Sequence, residues 1–462
     1  MLMPTAATAQ TTQYGYIANG GTGTGAGTVT IFDTATFTVV DTMSGSFVTP
    51  RSVGVSPDGR RVYVTDAATE TVNVFDTTTR TEIAVIPVGA WPISITIAPD
   101  GQRAYVANYA GNSISVIDLA TNAVVATITS PLFAAPRRLV ISPDGSTGYA
   151  KNASHTSVAI IDLATNVVTS SFLVDQAAYA LWDMAMGPDG ATLWVVASTA
   201  NSYYVCIVDL AQQAVAGTIP LGISATAIAF TPAGDYAYVA NVGFDSVKID
   251  VPTRTVVATL DDIYIPRGLD ISYDGTTVYS VEYGGWKIRA IDVASNTERG
   301  ILDGFDPNDE PYAVYGQFLG PPMLASGTPA AISSDADLTA LGLRAVVPLD
   351  DATIELDAPL TTSRSFSLFA GGATIDTDGF SATITGNITD QGALTKTGAG
   401  MLTLAGTNTH AGGTTIAGGI LNVSGSHSSP IVVSGGSLSG SGSVGTITAN
   451  SGIVMPGNSP GV

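Results

Sequence analysis

The chain has 462 residues, long enough for two or more domains, and 45% of them are hydrophobic while only 12% carry charge. No apolar run approaches the roughly 18–20 residues of a membrane-spanning helix; the apolar residues fall in short Val/Ile/Ala/Thr/Tyr runs that suit many brief strands. The formal net charge of −21, from 38 acidic against 17 basic residues, opposes binding to a phosphate backbone, so nucleic acid is not an expected partner.

Residues 1–13 are expected to be disordered or a signal-peptide remnant. Met1–Gln10 lacks a basic n-region and a long apolar h-region, yet Ala7-Thr8-Ala9 before Gln10 matches the small-x-small end of a leader. The alternative is a chance match in Ala-rich sequence.

From Tyr14 a repeat takes over. Ser56-Pro57-Asp58-Gly59 recurs as Ala98-Pro99-Asp100-Gly101, Ser142-Pro143-Asp144-Gly145 and Gly187-Pro188-Asp189-Gly190. Degenerate copies are Thr231-Pro232-Ala233-Gly234 and Ser272-Tyr273-Asp274-Gly275, and successive steps are 42, 44, 45, 44 and 41 residues. Pro presets φ, Asp supports the turn and Gly takes the left-handed position, so each copy predicts a hairpin turn. An apolar strand precedes each turn, and an aromatic one follows, such as Ala104-Tyr105-Val106-Ala107-Asn108. A third strand ends in Asp, as in Val116-Ile117-Asp118, and a fourth resembles Ala123–Ile128. Four strands per repeat is the pattern of a propeller blade.

These residues resemble the YVTN-type propeller repeats of bacterial and archaeal surface proteins, over roughly residues 14–321. Six turn-bearing units, plus one split between 14–48 and 311–321, predict seven blades. The split unit would close the ring and leave no long bare edge.

Residues 322–345 read as a linker with one short turn of helix. From Val346 to 462 short alternating runs have Gly, Thr, Ser and Asn at their corners. None is long enough to bury its own face, which predicts a stacked solenoid. The stretch from Gly392 to Ile416, including Leu394-Thr395-Lys396-Thr397-Gly398-Ala399-Gly400-Met401-Leu402-Thr403-Leu404-Ala405-Gly406, is similar to the autotransporter-associated strand repeat of Gram-negative passenger domains. Pro456–Gly461 is similar to passenger sequences too. That resemblance implies a right-handed parallel β-helix stem, export, and an outer-membrane partner in the form of a C-terminal barrel. The alternating strands and aromatic girdle of such a barrel do not follow Gly461, so either the chain was cut or it lost its own translocator. The expected fold is all-β: a seven-bladed propeller followed by a solenoid stem.

Signals for catalysis are poor. His155, His410 and His427 are not at zinc-ligand spacing. No nucleophile elbow or strand–helix phosphate loop is present. Gly20–Gly25 reads as a flexible loop. Cys206 has no partner cysteine and reads as a buried, inert thiol. The Asp residues that close the third strands recur in every unit and read as turn caps. Asn19, Asp66, Asn108, Asn152 and Asn241 read as bonding loop backbone. The loop Asp306–Glu310 reads as solvated acid, with an oxygen-ligated calcium ion as the alternative. No catalytic residue, metal or cofactor is expected.

One repeat position differs between units. Aligned on the turns, the start of the first strand holds Arg51, Ile93, Arg137, Trp182, Thr226, Arg267 and Tyr312, with Trp91 beside it. If the first strand is innermost, Arg51, Arg137 and Arg267 converge with Trp182, Tyr312 and Trp91 on the channel mouth, where they suit a small anion or sugar acid. The alternative is that the arginines fill a wet channel and bond carbonyls or acidic neighbours such as Asp183. The expected function is a surface-displayed or secreted passenger whose propeller recognises an extracellular protein, a glycan or a small anion. Similarity to propeller lactonases leaves a hydrolase of small anionic substrates as the alternative.

Overall fold

In each repeat the Ser-Pro-Asp-Gly segment reverses the chain within four residues. Gly59 adopts φ 73°, its amide donates to the Ser56 carbonyl at 2.8 Å, and the Ser56 hydroxyl donates to the Asp58 carboxylate at 2.5 Å. Gly234 and Gly275 of the degenerate copies take the same left-handed conformation, at φ 76° and 73°. The turn therefore survives loss of Pro or Asp as long as Gly remains. The computed structural model describes residues 11–21, 27–175, 178–222, 224–241, 246–260, 266–282, 287–303, 309–311, 323–325, 330–340, 346–369 and 371–455. It divides into Tyr14–Gly320 and a second unit of Met1–Gln13 with Pro321–Val462.

The first unit is a seven-bladed propeller of four-stranded antiparallel sheets. Blade 1 comprises Pro50–Val55, Arg61–Asp66, Thr71–Asp76 and Glu82–Pro87. Blades 2 to 6 repeat that order, with first strands Pro92–Ile97, Pro136–Ile141, Ala180–Met186, Ala225–Phe230 and Pro266–Ile271. First strands of successive blades lie next to one another, whereas fourth strands such as Ala123–Thr129 are mostly exposed. The first strand is therefore innermost. Blade 7 is the split one: Asp309–Pro311 pairs antiparallel with Tyr14–Gly21, Asn19 opposite Pro311, and the sheet continues through Thr28–Asp33 and Thr38–Ser44.

The cores lie between blades. Tyr63, Val72, Ile95 and Val106 join blades 1 and 2; Phe32, Phe47, Phe75 and Tyr279 lie where blade 7 meets blades 1 and 6. The third-strand carboxylates cap the turns to the fourth strands: Thr36, Thr79, Thr121, Thr165, Gln212, Thr253 and Ser295 each donate a backbone amide to the Asp three residues earlier.

The second unit is a parallel β-solenoid of one six-stranded and one seven-stranded sheet, with two smaller ones. Residues read as a linker and leader remnant are part of it. Ala330–Ile332 pairs parallel with Ala352–Leu356, and Met323–Ala325 pairs parallel with Val346–Asp350. Thr11–Thr12 pairs antiparallel with Met323 and Leu324. The solenoid therefore starts before Val346, because short runs that look like a linker in isolation gain their partners one coil later. The short helix Asp335–Ala340 lies in this first coil.

Inward-facing residues stack in register. One column runs Ala382, Leu402, Leu421, Leu438, and another Ile354, Ile375, Lys396, Ile416, Val433. Lys396 is fully buried in this aliphatic column. Its ammonium turns to the corner and donates to the carbonyls of Gly398 at 2.9 Å, Gly418 at 3.2 Å and Thr397, which compensates the buried charge. Gly398, at φ 71°, is required at that corner: a β-carbon there would lie 2.2 Å from the Asp376 carboxylate.

His410 and His427 meet edge to face inside the later coils with ring centroids 5.0 Å apart, and His410 Nε2 lies 2.8 Å from the Thr414 hydroxyl. Burial pushes both imidazoles down, His427 to about 4 with His410 adding to the effect. The unfolded chain titrates near pH 6.5, so between about pH 4 and 6.5 it binds more protons than the folded one. The solenoid should hold its full stability above about pH 7 and lose on the order of 1–3 kcal/mol as pH falls to 4.5. Denaturant unfolding of the full chain at pH 7.5 and 4.5 checks this, and His427→Leu should flatten the difference.

Candidate functional site

Strand direction defines two faces of the propeller. First-to-second and third-to-fourth turns share one, the turn face. The loops between second and third strands, and those that lead into each next blade, share the other, the loop face. The last residue of each second strand organises the loop face. Asp66 accepts the amides of Val48 at 2.6 Å and Thr49 at 2.8 Å, and so clamps the loop into blade 1. Asn152 does the same for blade 3, accepting from Ala134 and donating to Leu132, both at 2.9 Å. Asn108 and Asn19 differ: they donate to hydroxyls of the adjacent strand, Ser113 and Ser115, and Thr28 and Thr30. In blade 6 the position is Glu282, which is buried and paired with Arg289 at 2.8 Å.

The variable position singled out in the sequence is a β-bulge in the first strand of each of blades 1 to 6. In blade 1, Pro50 opposes Asp66 and Ser52 opposes Thr65, so Arg51 is the extra residue of the bulge. The same skip occurs at Ile93, Arg137, Trp182, Thr226 and Arg267. A bulge re-aims one side chain and sharpens the twist where strands converge. The common feature is thus a backbone device of the ring, which serves Ile93 and Thr226 as well as the arginines.

The residues at that position go different ways. Trp182 packs into the core between blades 4 and 5, 6.2 Å from the Tyr203 ring, and its indole donates to Ser198 at 3.0 Å. It is an anchor of that core rather than an open channel surface. Arg51 and Arg137 are half-buried. Arg267 occupies the bulge of Pro266–Ile271, but its side chain, like all of Tyr312, lies outside the described residues. Trp91 is in the loop into blade 2 with φ 57°, is 50% exposed, and accepts the Tyr109 amide at 3.0 Å. Val48, Tyr109, Leu132 and Tyr179, the last 82% exposed, are apolar residues of the same loop face.

What sequence reading missed lies one residue past the bulge. Ser52, Ser94, Arg138 and Asp183 occupy successive blades at that position. Ser52 accepts the Ile95 amide of the next blade at 3.3 Å. Asp183, 1% exposed, accepts the Ile228 amide of the next blade at 3.0 Å and pairs with Arg138 of the previous one at 3.1 Å. Burial pushes the Asp183 carboxyl up, opposed by Arg138. Lys151 is fully buried nearby and donates to the Leu181 carbonyl at 3.0 Å. Burial and the charge of Arg137 lower it to about 7. Two adjacent arginines and a Lys in a strand were the available signal, but the bulge decides which arginine faces the channel.

Arg138 lines a cavity of about 270 Å³ formed by the first strands of blades 1 to 4, with Gly54, Ile95, Leu139, Ala185 and Met186 among its walls. Among the described residues no group of three or more His, Cys, Asp or Glu is placed to hold a metal ion.

A family model of the passenger-associated-transport repeat matches residues 394–423. One of the cytochrome D1 heme domain, and not a YVTN repeat model, matches residues 22–137. No curated protein matches the chain. Among solved structures the chain is similar to the Kuenenia stuttgartiensis hydrazine synthase, with TM-score 0.53 and 26% identity over 58% of this chain and 90% of that one. It is also similar to a functionally unknown protein from Desulfotomaculum acetoxidans DSM 771, with TM-score 0.52 and 15% identity over 63% and 94%, a likeness of fold alone.

In the segment that the haem-domain model matches, residues 22–137, a haem would find no His or Cys ligand, and the one Met there, Met43, is buried in a core between blades. Met186 on the cavity wall has no His beside it to complete an axial pair. A cavity of about 270 Å³ is also smaller than the roughly 300–1,000 Å³ of small-molecule and cofactor pockets. The match reflects the blade repeat.

Asp183 holds three blades together, so its loss should be costly. Asp183→Ala leaves Arg138 and the Ile228 amide uncompensated and should destabilise the chain by about 3 kcal/mol. Asp183→Asn, which keeps an acceptor for Ile228, should cost less. Denaturant unfolding monitored by tryptophan fluorescence checks both.

Proposed function

We propose that this chain is a non-catalytic passenger, surface-displayed on or secreted from a Gram-negative cell, whose propeller is a recognition head on a solenoid stem. The passenger-associated-transport repeat at 394–423 carries this reading. It covers the coils in which Lys396 closes the corner and His410 is buried. Its outer-membrane partner would be a C-terminal barrel. The exposed Trp91, Tyr109 and Tyr179 of the loop face support recognition of an extracellular protein or glycan there, since aromatics offer large rigid contact area at low entropic cost.

A propeller hydrolase acting on a small anion is the second reading, supported by the Arg138-lined cavity. The carboxylate paired with Arg138, Asp183, is closed off by Arg138 and the Ile228 amide, so recognition stands first.

Two measurements test the proposal. Externally added protease should cleave the chain on intact producing cells; protection of the whole pool would overturn export. The purified full chain should bind glycans or matrix proteins on an array, and Trp91→Ala with Tyr179→Ala should weaken that binding at least tenfold. Unchanged binding by the double variant would overturn the loop face as the recognition surface.

A further inference from the structure

The channel cavity has a chemistry of its own, separate from the loop face. It runs along the first strands of blades 1 to 4 toward Pro99 of a turn-face hairpin, and its volume is about 270 Å³. Val55, Ile95, Ile97, Leu139, Val140 and Met186 give its walls apolar surface, alongside polar surface from Ser94, Thr96 and Arg138. Arg138 is the one charged residue that lines it, with 22% of its side chain exposed. Ser94, also on the wall, is 2% exposed, and its hydroxyl has no hydrogen-bond partner. A buried hydroxyl without a partner is costly, and one on a cavity wall is a donor awaiting an acceptor.

We propose that this cavity is a binding site for a small monocarboxylate with an apolar body, held by Arg138 and Ser94. Arg138 donates through one guanidinium nitrogen to Asp183 Oδ2 at 3.4 Å, within an ion pair of 3.1 Å. A guanidinium has five N–H donors, which leaves others for a carboxylate. The cations Arg138 and Lys151 lie beside the Asp183 carboxylate, a positive local contribution inside a chain of net charge −21. That balance admits a single negative charge, while the surrounding acidic surface disfavours dianions and polyanions. The apolar walls then select the remainder of the ligand, and the volume limits it to less than a drug-sized molecule.

The test uses the full chain with 4-methylpentanoate and 3-phenylpropanoate as probes, their primary amides as neutral matches, and inorganic phosphate as the dianionic control. Calorimetric titration should give binding by at least one acid, at least tenfold tighter than its amide, with no binding of phosphate. Ser94→Ala should weaken it a few-fold. Arg138→Met with Asp183→Asn, which removes both charges and retains an acceptor for the Ile228 amide, should weaken it at least tenfold. Ala185→Phe, which fills the cavity, should abolish it. Thermal melting of each variant establishes that it is folded. Equal affinity for acid and amide, undiminished binding by folded Ala185→Phe, or no binding of either acid would overturn the proposal. Trp91→Ala with Tyr179→Ala leaves this cavity untouched, so failure of the loop-face reading and failure of this one are distinguishable.

Discussion

Seven sheets arranged around a channel are stable only if the ring is shut. Here that rests on the pairing of Asp309–Pro311 with Tyr14–Gly21, two segments from opposite ends of the propeller sequence. Each blade buries its faces against the next, so an open ring would expose two of them at once. The aromatic cluster of Phe32, Phe47, Phe75 and Tyr279 lies where blade 7 meets its neighbours, and it shares the work of closure with the backbone pairing. The chain-end entropy lost in bringing those segments together is a slowly growing cost with loop length, offset by burial over two blade interfaces.

With the ring closed, the first strands are forced together, and a bulge recurs in those of blades 1 to 6. It is a local answer to convergence: an extra residue bends and twists the strand near the loop face. Position and chemistry separate at that point. The bulge residue is free to be Arg, Ile, Trp or Thr because the backbone defines it. The residue after it faces the neighbouring blade or the channel, and there side-chain chemistry matters. Ser52 and Asp183 each satisfy an amide of the next blade, and Arg138 bridges from blade 3 to blade 4. The polar belt therefore doubles as blade-to-blade glue and, through Arg138, as the charge on the channel cavity among the described residues.

The solenoid solves the same problem without a ring. Coil stacks on coil, so identical positions must tolerate identical neighbours. Aliphatic columns do this readily. Polar residues do it only when a corner supplies partners, as the Gly398 and Gly418 carbonyls do for Lys396. His410 and His427 meet the same demand by remaining neutral, which ties this stem to pH.

Blade number, turn positions and the solenoid were legible in the sequence, because each depends on local features: Gly at a left-handed turn, Asp before a capped turn, alternation of apolar residues. The start of the solenoid was not, because Met323–Ala325 and Ala330–Ile332 become strands only by pairing with residues 25 and 24 positions later. Nor was the channel wall. Arg137 and Arg138 are equivalent as text, and alternation along a strand assigns one to each side. A bulge shifts that alternation by one residue, and whether it forms is decided by the convergence of seven strands about one axis. What the sequence determined by itself was the repeat and its turns, since those need only neighbours along the chain. Which side chain faces the channel, and which carboxylate it meets there, was decided by tertiary structure, since both depend on the register between strands and the packing of one blade on the next.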